Sequence, residues 1–164
     1  MSRRSVINES FTIDRTYPTS AARVFAAFAS EEAKSAWGDT GGLEPADGEA
    51  GVAEFDFRPG GRERFGIKVD GRTLRYDARY YDIVTDHRIV YAYEMYCDDV
   101  RISVSLTTIE FAEVGDATRL TFTEQGAFLD GFDGTEAPAL RRGGTEEMLD
   151  NLVGYLATAT EPAS

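Results

Sequence analysis

Phe55-Asp56-Phe57-Arg58-Pro59-Gly60-Gly61-Arg62 is the stretch that decides the fold of this chain. Two aromatic residues alternate with polar ones and run into a Pro-Gly-Gly corner, and a second alternation through Phe65, Ile67 and Val69 follows at once. Apolar-polar alternation on both sides of a Pro- and Gly-rich corner is typical of a β-hairpin. Short helical segments precede this hairpin and long strands follow it, so the pattern predicts a sheet that curves around an interior cavity.

The length and the aromatic content are those of one globular domain. A chain of 164 residues buries roughly 70% of the surface that it exposes when unfolded. We therefore expect a single domain over residues 1–164, with its core between about residues 8 and 158. The 10 Phe, 8 Tyr and 1 Trp concentrate in the strand-like half, where they form either a thick core or the lining of a pocket.

The charge of the chain argues against two classes of partner. A formal net charge of −12 disfavours nucleic acid and anionic membranes, because both are negative and no concentrated basic face offsets the repulsion. Basic and acidic residues alternate in the central hairpin, which predicts a solvated sheet face with salt bridges. The basic residues are Arg62, Arg64, Lys68, Arg72, Arg75 and Arg79, and the acidic ones are Glu63, Asp70, Asp77 and Asp82.

The cysteine content and the hydropathy pattern bear on the compartment. Cys97 is the single cysteine, which excludes an intramolecular disulfide and a multi-cysteine zinc site and fits a reducing compartment. No apolar run follows the basic start at Met1–Ser5, and no segment approaches the ~20 apolar residues of a membrane span. We expect a soluble cytoplasmic protein.

The first third of the chain predicts one strand and two short helices. Alternation predicts a strand over residues 9–16, which Pro18 ends. A helix carrying Val24, Phe25 and Phe28 follows, and then a second one over Glu31–Trp37. Residues 38–51 are rich in glycine and acidic residues without a period, which predicts a loop.

The middle of the chain predicts the remaining strands. After the opening hairpin, Asp70-Gly71 has type I′ turn chemistry. The segment from Arg101 to Glu113 alternates on two registers, and the switch predicts a bulge near Thr107-Thr108. The last strand is predicted over Leu120–Glu124 and a loop over residues 126–136.

The C-terminal part predicts a helix with one apolar stripe, formed by Met148, Leu149, Leu152, Val153 and Leu156. Pro138 suits the first turn of a long version that begins near Ala137. Gly143-Gly144 inside that version would cost about 1 kcal/mol each relative to alanine. Either the helix begins late, or the close approach of another element justifies the glycines.

The order of elements is strand, two helices, six antiparallel strands and a long helix. A curved antiparallel sheet of six or seven strands, wrapped around the final helix, buries every apolar face in that order. The sequence therefore predicts an α+β helix-grip fold.

A set of short motifs in this order carries a resemblance to a known family. The motifs are Arg15-Thr16-Tyr17-Pro18, Arg23-Val24-Phe25, Trp37-Gly38, Phe57-Arg58-Pro59-Gly60-Gly61, Tyr80 to Ile83, Thr118-Arg119-Leu120-Thr121 and Gly144-Thr145-Glu146-Glu147-Met148-Leu149. The chain resembles the START-like (SRPBCC) superfamily of polyketide cyclases and pollen-allergen-type carriers. Within it, the chain is similar to the branch of the activator of the 90-kilodalton heat-shock protein ATPase, C-terminal domain. The resemblance implies a ligand cavity under the final helix.

Two departures from the superfamily concern the mouth of that cavity. Members often carry paired tryptophans where this chain has Ala36-Trp37, and a tryptophan where it has Thr145. The resemblance therefore implies a wider mouth here.

The usual catalytic sets are absent from the sequence. His87, the single histidine, lies in a turn between two charged residues, which disfavours a Ser-His-Asp catalytic triad and a Cys-His catalytic dyad. Cys97 lies beside Asp98-Asp99, whose charge disfavours a thiolate nucleophile. The acidic loops lack the spacing of a calcium loop. We expect neither a metal nor a cofactor.

The interior then holds the candidate site. Strand parity with Leu120 and Phe122 sends Glu124 inward, where a buried carboxyl has a raised pKa and serves as a general acid or base or as a polar anchor. Alternatively, Glu124 lies in water at the strand end and pairs with Arg141 or Arg142. Trp37 is likewise either at the cavity rim or in the core. The candidate ligand-binding residues are Trp37, Phe55, Phe65, Tyr76, Tyr91, Tyr93, Ser105, Phe122 and Glu124, of which Glu124 is also the candidate catalytic residue.

Three functions fit these observations. The first is a binding protein for an apolar or aromatic small molecule, such as a lipid or a polyketide-like compound. The second is a cyclase- or aromatase-type enzyme that uses Glu124 as its carboxylate. The third, implied by the resemblance alone, is a stress-related co-chaperone-like protein that binds a chaperone. A homodimer is compatible with all three.

Overall fold

Seven antiparallel strands form one sheet around a C-terminal helix in the computed structural model, which describes residues 4–38 and 44–158. The strands are β1 (Val6–Tyr17), β2 (Glu54–Phe55), β3 (Arg62–Val69), β4 (Arg72–Val84), β5 (Arg88–Cys97), β6 (Val100–Val114) and β7 (Ala117–Leu129). The helices are α1 (Ala21–Ala29), α2 (Glu31–Trp37) and α3 (Ala137–Thr158). The strand order is β1-β7-β6-β5-β4-β3-β2. The predicted α+β helix-grip fold is confirmed.

The Pro59-Gly60-Gly61 corner joins β2 to β3, as the opening hairpin predicts. Gly60 has a φ of +85°, a left-handed conformation that favours glycine. A Cβ on Gly61 would lie 2.0 Å from the carbonyl oxygen of Asp56. The amide of Gly60 donates to the carbonyl of Tyr80 in β4 at 2.8 Å, so the corner also ties the hairpin to the next strand.

Serine side chains start the two short helices. The Ser20 hydroxyl accepts a hydrogen bond from the amide of Arg23 at 3.3 Å, and the Ser30 hydroxyl accepts one from the amide of Ala33 at 3.1 Å. Such N-caps satisfy amides that the first helical turn leaves free. The buried side of α1 packs into the core with Val24, Phe25 and Phe28, and α2 then runs toward the edge of the sheet.

Helix α3 begins at Ala137, so the longer of its two predicted versions is correct. Neither reason offered for its glycines holds, because a Cβ on Gly143 or Gly144 would meet no atom within 4 Å. The apolar stripe is also narrower than predicted. Leu149, Leu152 and Leu156 are buried against the sheet, whereas Val153 is 49% exposed.

Strand β6 corrects the predicted bulge near Thr107-Thr108. Its ladders to β5 and β7 run through both residues without a break, and the bulge falls at Ile102, which the ladder to β5 skips. The strand keeps a single register whose buried positions are polar as well as apolar: Ser103, Ser105, Thr107, Ile109 and Phe111. Val104 and Leu106 are therefore on the outer face, and the double alternation in the sequence reflects polar residues that point inward.

Three predicted boundaries also change. The first strand is longer than residues 9–16, and β7 continues past Glu124 to Leu129 because it pairs with β1 throughout, so residues 126–129 are not loop. Within the predicted loop over residues 38–51, Gly48–Gly51 forms a 3-10 turn and Pro45 bridges to Ile67. Residues 39–43 of that loop lie outside the described residues. No helix in the described part of the chain is long and apolar enough to cross a membrane.

Candidate functional site

A cavity of about 910 Å³ lies between the sheet and the helices α2 and α3. Its wall is mainly apolar and aromatic, because the inward positions of β2 to β5 and β7 carry large side chains. Seven of the nine predicted ligand-binding residues line it: Phe55, Phe65, Tyr76, Tyr91, Tyr93, Phe122 and Glu124. The cavity also reaches the side chains of Arg141, Thr145 and Met148 on α3.

Glu124 is buried, with 2% of its surface exposed, and it lies at the cavity. The Tyr93 hydroxyl is 2.9 Å from both carboxylate oxygens and shares its one hydrogen between them, and the Thr107 hydroxyl donates to Oε1 at 3.2 Å. The partners sit on β5 and β6, next to β7 in the sheet, so the sheet order brings them together. The inward placement predicted from strand parity is correct.

Arg141 completes this arrangement from α3. Its Nη1 lies 3.8 Å from Oε2 of Glu124 and donates to the Tyr93 hydroxyl at 2.9 Å, and its Nη2 donates to the Ser103 hydroxyl at 2.9 Å. The guanidinium also lies over the Phe128 ring, 5.0 Å from its centroid. The arginine partner that was expected for a solvent-exposed Glu124 is therefore present, but at a buried carboxylate. We call Glu124, Tyr93, Thr107, Arg141, Ser103 and Ser105 the Glu124 cluster.

Burial and hydrogen bonding act in opposite directions on the pKa of Glu124. Burial raises the pKa above its usual value, because the charged form loses water, and the hydrogen bonds from Tyr93, Thr107 and Ser105 and the positive charge of Arg141 lower it. The net direction is upward. Burial also raises the pKa of Tyr93. The protonated form of the Glu124 carboxyl therefore persists to a higher pH than that of an exposed glutamate.

The aromatic wall continues from Tyr93 of β5 across β4 to β3. Tyr76 lies against Tyr93 on one side and Phe65 on the other, with ring centroids 5.0 Å apart in both contacts. Burial raises the pKa of Tyr76. Its hydroxyl has no hydrogen-bond partner among residues 4–38 and 44–158. The Tyr76 hydroxyl therefore remains available to a molecule in the cavity.

A second polar group lies in the cavity wall, near α2, and sequence reasoning missed it. Glu63 of β3 is buried, with 7% of its surface exposed. Lys34 of α2 donates to its Oε2 at 2.6 Å, and the Tyr80 hydroxyl donates to the same oxygen at 2.9 Å. We call these three residues the Glu63 cluster. The charge alternation in the sequence predicted that Glu63 lies on a solvated face of the sheet. Glu63 instead points inward, because it is two residues from Phe65 in β3 and therefore lies on the same face. This spacing could have been read from the sequence.

Two predicted site residues do not reach the cavity. Trp37 is 1% exposed, packs edge-to-face on Phe28 at 4.8 Å, and donates its indole N–H to the carbonyl of Ala27 at 2.8 Å. It is a core residue, because α2 turns its ring toward α1 rather than toward the sheet. Ser105 does not line the cavity, and its hydroxyl lies within the Glu124 cluster, where it accepts a hydrogen bond from Nη1 of Arg141 at 3.5 Å.

The acidic residues that the structure describes bear on whether this site could hold a metal ion. Within the described ranges, no group of three or more His, Cys, Asp or Glu side chains is placed to hold a metal ion. The carboxylates of the cavity are instead paired with cations of the chain, Glu124 with Arg141 and Glu63 with Lys34. The chemistry that this site offers is therefore hydrogen bonding and proton exchange within an apolar chamber.

Comparisons with known proteins agree on the type of protein. The family described as Activator of Hsp90 ATPase homolog 1-like protein matches residues 18–157. A protein of Rhizobium leguminosarum of known structure is 42% identical, with 96% of this chain and 99% of that chain covered and a TM-score of 0.84. Mll3558 of Rhizobium loti is 44% identical, with 92% and 99% covered and a TM-score of 0.78.

A more distant structure shares the fold alone. DynU16, a protein of the dynemicin biosynthetic locus, is 17% identical, with 91% of this chain and 47% of that chain covered and a TM-score of 0.61. No curated protein matches the sequence of this chain.

Proposed function

This chain belongs to the Activator of Hsp90 ATPase homolog 1-like family, and from that membership we propose that it is a small-molecule binding protein whose cavity takes an apolar or aromatic ligand. The fold family by itself suggests small-molecule binding. The observation that carries the finer proposal is the cavity of about 910 Å³ with mainly apolar walls and two polar clusters. Ligand pockets in proteins are typically of this size and composition.

The aromatic wall favours a flat ring system over a flexible chain. Phe65, Tyr76 and Tyr93 present three successive rings along one side of the cavity. Aromatic rings gain about 0.5–1.5 kcal/mol beyond surface burial when they stack in offset or edge-on arrangements. A lipid or a polyketide-like aromatic compound would both bury apolar surface here, and an aromatic one would gain these contacts in addition.

The two adjacent glycines of α3 give a matched test of this proposal. Gly144 lines the cavity and Gly143 does not, and a Cβ on either meets no atom within 4 Å. We expect Gly144→Leu to weaken the binding of the fluorescent probe N-phenyl-1-naphthylamine about tenfold, because the new side chain occupies space that the probe needs. Gly143→Leu should leave the affinity within about twofold. Fluorescence titration of both variants measures this difference.

Helix propensity separates this effect from misfolding. Leucine is a better helix former than glycine, so both variants should unfold at or above the wild-type temperature. Equal probe affinities in the two variants would show that the probe binds elsewhere. A wild-type protein that binds neither this probe nor a fatty acid would contradict the proposal as a whole.

A second candidate function, an acid-base enzyme of the cyclase type, is favoured by one observation. Glu124 is a buried carboxyl with a raised pKa that lies at the cavity and contacts the Tyr93 hydroxyl at 2.9 Å. Such a pair can remove a proton next to a carbonyl group while the tyrosine hydroxyl stabilises the enolate oxygen. Exchange of the α-protons of 2-tetralone in D₂O, followed by NMR, tests this activity. Exchange no faster than in buffer, or undiminished in Glu124→Gln, would reject the enzyme.

A further inference from the structure

We propose that Glu63 is the polar anchor of the cavity and that the ligand donates a hydroxyl or amine hydrogen to it. This inference rests on the proposed binding function and specifies the chemistry of its ligand. It differs from the sequence-based expectation, in which Glu124 is the anchor. The distinction follows from which carboxylate oxygens are already occupied.

Both protein donors at Glu63 converge on one oxygen. Lys34 and Tyr80 each donate to Oε2, and Oε1 receives no hydrogen bond from any residue that the structure describes. The Glu63 side chain is only 9% exposed, and it lines the cavity. Buried carboxylate oxygens normally accept hydrogen bonds, and each can accept about two. Oε1 is therefore an open acceptor whose partner has to come from the cavity.

The Glu124 carboxylate, in contrast, already has partners within the protein. Its Oε1 accepts from Thr107, the one Tyr93 hydroxyl hydrogen is shared between Oε1 and Oε2, and Oε2 also lies 3.8 Å from the cation Arg141. The two terminal nitrogens of Arg141 are in turn used by hydroxyl groups of the sheet. The Glu124 cluster satisfies itself, so a ligand that bonded there would have to displace an existing bond.

The open oxygen of Glu63 selects a hydrogen-bond donor over an anion, because an anionic ligand has no hydrogen to donate there and would be repelled by the carboxylate at close range. The charged residues that line the cavity in the described part of the chain are of both signs: Glu31, Glu54, Glu63 and Glu124 are acidic, and Lys34, Arg64 and Arg141 are basic. Lys34 is held by Glu63 at 2.6 Å, and Arg141 lies 3.8 Å from Glu124. The charge of Glu63 also contributes to the raised pKa of Tyr76, which places that unpartnered hydroxyl in the field of the same carboxylate.

Three naphthalene probes that differ in one substituent test this inference: 2-naphthol, 2-methoxynaphthalene and 2-naphthoate. We expect the wild-type protein to bind 2-naphthol about tenfold more tightly than 2-methoxynaphthalene, because only the naphthol donates a hydrogen bond to a charged acceptor. We expect 2-naphthoate to bind more weakly than 2-naphthol. Calorimetric titration at one salt concentration gives the three affinities.

The variant that removes the open acceptor is Glu63→Gln. In this variant the new amide oxygen has to accept the hydrogen bonds from Lys34 and Tyr80. The NH₂ group then takes the position of the open oxygen, and it is a donor rather than an acceptor toward the ligand. The naphthol preference should fall to about twofold or less, while 2-methoxynaphthalene binding reports that the cavity is intact. Glu63→Asp, which keeps the charge but withdraws it by one methylene, should reduce the preference in the same direction. Glu110→Gln, at an exposed position of β6 that does not line the cavity, is the matched control and should keep the preference. Glu124→Gln tests the competing anchor.

Each result has one meaning. Failure of all three probes to bind would contradict the proposed function itself. Binding without a naphthol preference in the wild-type protein, or tightest binding of 2-naphthoate, would overturn the assignment of Glu63 and leave the binding function standing. A preference that survives in Glu63→Gln and disappears in Glu124→Gln would return the anchor to Glu124.

Discussion

Arg141→Met should lower the free energy of unfolding by about 3 kcal/mol at neutral pH, because it leaves the buried carboxylate of Glu124 without its cation. The Glu124 side chain is 2% exposed and that of Arg141 is 19% exposed, so water screens this pair poorly. Methionine keeps much of the apolar stem that packs on Phe128, and the loss therefore reports mainly on charge. Urea unfolding followed by circular dichroism measures it.

The deficit of this variant should depend on pH. Burial raises the pKa of Glu124 and Arg141 lowers it, so the variant has a still higher pKa in the folded state. A raised folded-state pKa means that the folded state binds the proton more tightly than the unfolded state does. The free-energy cost of holding the charged Glu124 carboxylate in the folded protein is therefore absent below its ordinary pKa of 4.5 and complete above its folded-state pKa. The deficit should grow as the pH rises through the folded-state pKa of Glu124 and shrink as the pH falls toward 4.5.

The double variant Glu124→Gln/Arg141→Met is the control. Removal of the carboxylate removes the need for the cation, so the double variant should recover most of the stability that Arg141→Met loses at neutral pH. A deficit that is independent of pH, and that the second substitution does not rescue, would show that Arg141 stabilises the fold by packing on Tyr93 and Phe128 instead.

Trp37→Ala should cost about 3–5 kcal/mol of stability, the usual loss when a large aromatic ring is removed from a core. The ring is 1% exposed and rests on Phe28, and its indole N–H is bonded to the carbonyl of Ala27. Trp37→Phe keeps a ring but loses the hydrogen bond, and should cost only about 1 kcal/mol from that loss. Thermal or urea unfolding by circular dichroism compares the two, since the variants lack the tryptophan that fluorescence would use.

The binding data of the same variants distinguish a core role from a rim role. Because Trp37 lies outside the cavity wall, Trp37→Phe should bind N-phenyl-1-naphthylamine within about twofold of the wild type. A tenfold weaker affinity in this folded variant would place Trp37 in contact with the ligand, as the resemblance to the superfamily implied.

Several features of the fold could be read from local pattern because their causes are local. Asp70 and Gly71 both adopt positive φ, at 49° and 78°, as a type I′ turn requires. Ser20 and Ser30 cap their helices within three residues. Glu124 faces inward because strand parity links it to Phe122 two residues away. The bulge in β6 was predicted in the wrong place because local alternation has two interpretations. It cannot distinguish a register switch from serine and threonine side chains that face inward.

By itself, the sequence determined the type and order of the elements and the inward side of β7, because periodicity, capping and turn chemistry act between residues a few positions apart. The tertiary structure decided which polar groups meet in the cavity. Lys34 reaches Glu63 across 29 positions of sequence, and Arg141 reaches Tyr93 across 48. These pairs depend on how α2 and α3 pack on the sheet. That packing places Trp37 in the core and leaves one oxygen of Glu63 open to the cavity. It also surrounds the Glu124 carboxylate with Tyr93, Thr107 and Arg141.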